Sequence, residues 1–122
     1  MNTNSIILGS QIRVPKVVMD WAESTKYQSG VFATTHAGQN VYLLAAGPCP
    51  SGGYRVTAKP APQLPDTVEY KIEGPKNDEM VIQILTYPYE LVFSSKPLQF
   101  VRLENNKRQV VEPQQKPPLP SR

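Results

Sequence analysis

Six apolar residues run without a break from Val41 to Ala46, and a loop of Gly47, Pro48, Cys49, Pro50, Ser51, Gly52 and Gly53 follows at once. A continuous apolar run of that length, closed by turn residues, reads as a strand buried on both faces. The glycines admit backbone angles that other residues adopt only at a cost, and the two prolines stiffen the loop between them. Tyr54, Val56 and Ala58 then alternate with Arg55, Thr57 and Lys59, which is the pattern of a strand with one face on a core. A rigid, shaped loop between two strands is therefore the centre of the chain, and everything else must pack around it.

The flanking sequence supplies more strands and a single helix. Ile6, Leu8, Ile12 and Val14 suggest a strand with Gly9 and Ser10 between its halves. Pro15 suits a helix start, because its missing N–H is not needed there. Val14, Val17, Val18, Trp21, Ala22 and Thr25 fall on one face of a helix over roughly residues 15–26, with Lys16, Asp20, Glu23 and Lys26 opposite. Trp21 is the one tryptophan and reads as the anchor between helix and sheet. Val31–Thr35, a turn at residues 37–40 and the central apolar run form a hairpin. Thr67–Glu73 alternates, with Val68, Tyr70 and Ile72 pointing in and Glu69, Lys71 and Glu73 pointing out, and Met80–Leu85 and Tyr87–Ser94 read as two further apolar strands.

Six to seven short strands with one short helix predict a mainly β (β-rich α+β) fold, a small antiparallel sandwich or barrel. The 13 prolines argue against a helical bundle. Residues 1–96 are expected to form a single β-rich domain, 97–111 to offer an edge strand, and 112–122 to be a disordered Pro-rich tail with too little apolar surface to order it. Pro117 to Arg122 fits a short proline-rich ligand pattern, although a solubilising tail suffices to explain it.

Charge excludes little and suggests less. The formal net charge is +3, yet residues 1–96 hold eight Lys/Arg against eight Asp/Glu, so the excess lies in the C-terminal stretch and gives no nucleic-acid footprint. No apolar run approaches the roughly 18 residues of a membrane helix. With no basic region and apolar core at the N-terminus, the expected location is cytoplasmic, or extracytoplasmic if a signal sequence precedes Met1. One cysteine, Cys49, permits neither an intramolecular disulfide nor a cysteine metal cage. His36 is the one histidine, nothing marks a third group to orient it toward Cys49, and the carboxylates are scattered singly. The residues thus predict no enzyme, no catalytic residues, no metal site and no cofactor.

Two separated motifs carry a resemblance. Gly47-x-x-Pro50-Ser51-Gly52-Gly53-Tyr54 and the later Thr86-Tyr87-Pro88-Tyr89-Glu90-Leu91-Val92 resemble, in this order, the PrcB C-terminal domain family, over about residues 28–96. The family's loop usually carries Thr where Ser51 stands here. The resemblance implies a domain like those of lipoproteins that bind and stabilise a partner protease complex, although Met1 to Leu8 lacks a lipoprotein signal. The same loop is similar, more loosely, to the Asn-Pro-Thr-Thr-Gly-Tyr loop of chagasin-type inhibitors, which wedge loops of an immunoglobulin-like sandwich into a protease cleft. The implied function is a non-catalytic protein-binding module, stabiliser or inhibitor, whose partner is another protein of the protease class. Its expected contact residues are Pro50, Ser51, Gly52, Gly53, Tyr54, Tyr87 and Tyr89. The alternative is a structural domain that self-associates as a homodimer through an exposed strand edge. The loop itself also has a purely structural reading, as a tight turn that orders the sheet.

Overall fold

The computed structural model describes residues 6–117. The apolar run lies in strand β3 (Gln39–Ala45), which pairs antiparallel with β2 (Gly30–His36) on one side and β6 (Tyr89–Ser94) on the other. The β2–β3 turn is Ala37-Gly38, with φ of 51° and 80°. Two successive positive φ values give the twist that joins antiparallel strands through a two-residue turn. Two-residue strands close both edges of this sheet: β1 (Ile7–Leu8) on β6, and β9 (Gln114–Gln115), parallel, on β2. A second sheet has the order β4 (Arg55–Pro60), β5 (Thr67–Glu73), β7 (Gln99–Glu104), β8 (Lys107–Val111), with β5 and β7 parallel.

Strand alternation divides the core into two layers, because successive side chains point to opposite faces. From β3, Val41, Leu43 and Ala45 join Phe32, Leu91 and Phe93 under Val18, Trp21 and Ala22 of helix α1 (Lys16–Thr25). Tyr42 and Leu44 face the other way and meet Val56, Val68, Tyr70, Leu98 and Phe100 of the second sheet and its approach. The central strand is therefore buried on both faces, as its composition requires. Among the described residues the architecture is helix, five-stranded sheet, four-stranded sheet: a mainly β sandwich with one α-helix and no closed barrel. Trp21 is 3 % exposed and sits between helix and sheet. Val17, placed on the same helical face by its spacing, is 44 % exposed, since the apolar contact is confined to a narrower stripe.

Four expectations need correction. Beyond residue 96 the chain does more than add an edge. β7 lies inside the second sheet, Phe100 is fully buried, and the Leu98 N–H donates to the Tyr42 hydroxyl at 3.1 Å. Residues 112–117 are not a free tail either. β9 pairs with Phe32 and Ala33, the Lys116 N–H donates to the Ala33 carbonyl at 2.8 Å, and Trp21 Nε1 donates to the Lys116 carbonyl at 2.8 Å. Backbone hydrogen bonds and one indole hold this segment, so its poor apolar content did not forbid docking. Residues 118–122, and with them most of the proline-rich ligand pattern, lie outside the described residues.

The third correction concerns Met80–Leu85, which belongs to no strand. Its apolar composition suggested burial, but β1 and β3 flank β6, and β4 and β7 flank β5, so no place beside either remains. Finally, Glu69 was expected to point outward into solvent. It is only 8 % exposed because Arg108, two strands away, reaches over it at 2.6 Å.

Candidate functional site

The Gly47–Tyr54 loop leaves the end of β3 and is held by a strap, residues 75–88, that crosses it. Cys49 and Thr86 exchange two backbone hydrogen bonds, at 2.8 and 2.9 Å. The Thr86 hydroxyl donates to the Ser51 carbonyl at 2.8 Å, and the Gly52 N–H donates to the Ile82 carbonyl at 2.8 Å. At the far end the Ala46 N–H donates to the Pro88 carbonyl. Loop and strap are thus one backbone-bonded unit.

The glycine motif follows from that approach. Gly53 has φ +85°, and a Cβ there would lie 2.8 Å from Val81 Cγ1 and 2.9 Å from Pro75 Cβ. No side chain fits, and the backbone angle disfavours one as well. Tyr54 is half-buried with its ring against Gly74. Ser51 is buried and its hydroxyl bonds the Gly52 carbonyl, so this residue shapes the loop from within. Pro50 and Pro48 face solvent.

The strap's outer side carries the strongest signal. Met80 is 96 % exposed and Ile82 72 %, and Ile84 and Leu85 are also open to solvent. Single exposed apolar residues need no explanation, but four within six residues form a patch.

Beyond Thr86 the strap reaches an aromatic corner. Tyr87 stacks edge-on against Tyr27, centroids 4.7 Å apart, and Lys26 Nζ lies 5.5 Å from the Tyr27 centroid and 6.0 Å from that of Tyr87. Both distances suit a cation held over a ring. Lys26 also pairs with Glu23 at 2.7 Å, and the Tyr89 hydroxyl donates to the same carboxylate at 2.8 Å. The Lys26 hydrogen bond, with that of Tyr89, holds the Glu23 carboxyl below its usual range, and Glu23 in turn raises Lys26. Burial, reinforced by Glu23, pushes the Tyr89 phenol upward, so it remains a hydrogen-bond donor.

The seven residues singled out from sequence fall into two adjoining groups. Pro50 to Tyr54 belong to the loop, and Tyr87 and Tyr89 to the corner at the strap's end. Sequence reasoning missed Glu23, Lys26 and Tyr27, which the end of α1 and the turn after it bring to the corner, and the exposed strap residues, which it read as core. Cys49 and His36 are not brought together. Cys49 follows the Ala45 end of the β2–β3 hairpin and His36 closes the other end, about 20 Å away at 3.3 Å per residue. Burial raises the Cys49 thiol, which disfavours the reactive thiolate. Among the described residues no three His, Cys, Asp or Glu side chains gather as a metal site.

A small sandwich that mounts a clamped glycine loop beside an exposed apolar strap belongs to the class of scaffolds that present loops on rigid strands. Residues 41–93 match the family model described as PrcB C-terminal, the same family that the two motifs resemble. The match runs from β3 through the loop and strap to β6, so it contains both motifs, while α1 and β7–β9 lie outside it. No curated protein and no solved structure matches the chain.

Proposed function

We propose that this chain is a non-catalytic protein-binding module whose partner is a protease or protease complex, engaged by the strap and the loop that holds it. The observation that carries the reading is the strap: Met80, Ile82, Ile84 and Leu85 are exposed on a segment fixed by backbone bonds to the family's characteristic loop. An apolar patch that is already ordered loses little entropy on association. The PrcB C-terminal match supports a protease as the partner class.

Roles divide accordingly. Met80, Ile82, Ile84, Leu85 and Pro50 are the contact surface, with Tyr87 and Tyr27 as aromatic anchors at one end. Ser51, Gly52, Gly53 and Tyr54 set the strap's position, and Tyr89 fixes the corner through Glu23. The test is a photo-crosslinking residue placed at Ile84, with Leu64 as the control, an exposed apolar position outside strap and loop. Covalent capture of one protein, a protease subunit, from Ile84 and not from Leu64 is the expected result. Equal capture from both positions, or a captured protein with no protease association, would contradict it.

A further inference from the structure

Among the described residues, four strand edges bound the two sheets, and three carry devices that discourage pairing with another chain. β4 has Arg55, Lys59 and Pro60, and β8 has Lys107 and Arg108. The β6 edge is covered by β1 and by the 3₁₀ turn Gly9–Gln11, whose Ser10 N–H donates to Glu90 Oε2. Charges, prolines and covering turns are the usual protections of a sheet edge. β2, Gly30-Val31-Phe32-Ala33-Thr34-Thr35-His36, has no Lys, Arg, Asp, Glu or Pro. It is a seven-residue edge rich in strand-forming side chains, and β9 pairs with Phe32 and Ala33 alone.

We infer that residues 113–117 act as an intramolecular cap on the β2 edge, and that releasing the cap lets this edge pair with β2 of a second copy of the chain. The cap is built for reversal. Its strand is two residues long with both exposed, and its further anchors are the Lys116 N–H on the Ala33 carbonyl and the Trp21 indole on the Lys116 carbonyl. Only Glu112 and Pro113 separate it from β8, so the short link keeps its local concentration high and favours the closed form. The occupant of an opened edge is a second copy because β2 lacks charge. Two such edges meet about a two-fold axis without like-charge repulsion, and Thr34 and Thr35 become available for cross-strand pairs. This surface is separate from the strap, so it stands or falls independently of the proposed function.

The test compares full-length chains by light scattering after size exclusion over a range of concentrations. One variant, Lys116→Pro, removes the N–H that bonds Ala33. A second carries a flexible Gly/Ser insertion between Glu112 and Pro113, which lowers the cap's local concentration and leaves every core residue in place. The wild type is expected at the monomer mass of 13.6 kDa, with both variants shifting toward twice that mass as concentration rises. Adding Thr35→Lys, a charge on the β2 edge, to either variant should return it to the monomer. Variants that stay monomeric, a wild type that dimerises equally, or dimers indifferent to Thr35→Lys would overturn the proposal. Should Lys116→Pro fail to fold, the insertion variant decides alone.

Discussion

Gly53→Ala tests how closely the strap closes on the loop. Two costs add at this site. An L-residue at φ +85° costs about 1–2 kcal/mol. The new methyl would also sit 2.8 Å from Val81 and 2.9 Å from Pro75, a clash whose relief costs about 1–3 kcal/mol. Gly38 provides the control, because its φ is +80° and nothing lies within 4 Å of its missing Cβ. Gly38→Ala therefore bears the conformational cost alone, and the difference between the two variants isolates the strap contact. Chemical denaturation of both should place Gly53→Ala at least about 1 kcal/mol below Gly38→Ala. Calorimetry should show a gap of several degrees, since about 1 kcal/mol moves the melting temperature of a small domain by roughly 3–6 °C. Equal losses would refute the reasoning, for they would mean that the strap does not lie against the loop.

Trp21→Ala should cost about 3–5 kcal/mol, a large share of the stability of a 122-residue domain, and native Trp21 emission should be blue-shifted; water-like native emission would contradict its burial. Ala37→Asn should stabilise by about 0.5–1 kcal/mol in thermal melts, because Asn tolerates the left-handed angle that Ala37 now holds at 51°. Burial raises the Glu90 carboxyl, so the stability tied to its proton is present in acid and is lost as pH rises through the folded value. Glu90→Gln should accordingly melt no lower than wild type at pH 7 and flatten the decline in stability as pH rises above the ordinary carboxyl range; a clear loss at pH 7 would oppose this.

The central strand was legible because Val41–Ala46 is apolar on both alternating faces, and only a middle layer accepts such a strand. The helix was legible from Val18, Trp21 and Ala22 at helical spacing. Burial reasoning failed where the chain keeps apolar residues outside. Met80–Leu85 has the composition of a core strand, but the strand places beside β5 and β6 are filled by segments distant in sequence, which no local pattern reveals. It failed in the opposite sense at Gln114–Lys116, where backbone hydrogen bonds and an indole order a segment with almost no apolar area. Among the candidate site residues, the glycine spacing pointed to a tight loop. That Ser51 faces inward, and that Glu23, Lys26 and Tyr27 complete the tyrosine corner, depends on tertiary approach.

The most direct test of the binding surface is a titration of the captured partner against wild type and the Ile82→Asp/Ile84→Asp double variant. Both residues are exposed, so melting temperatures should agree within a few degrees. Each buried isoleucine contributes about 1.5–3 kcal/mol to an interface, so their joint loss should raise Kd by well over tenfold. An unchanged Kd in a normally folded double variant would contradict the account.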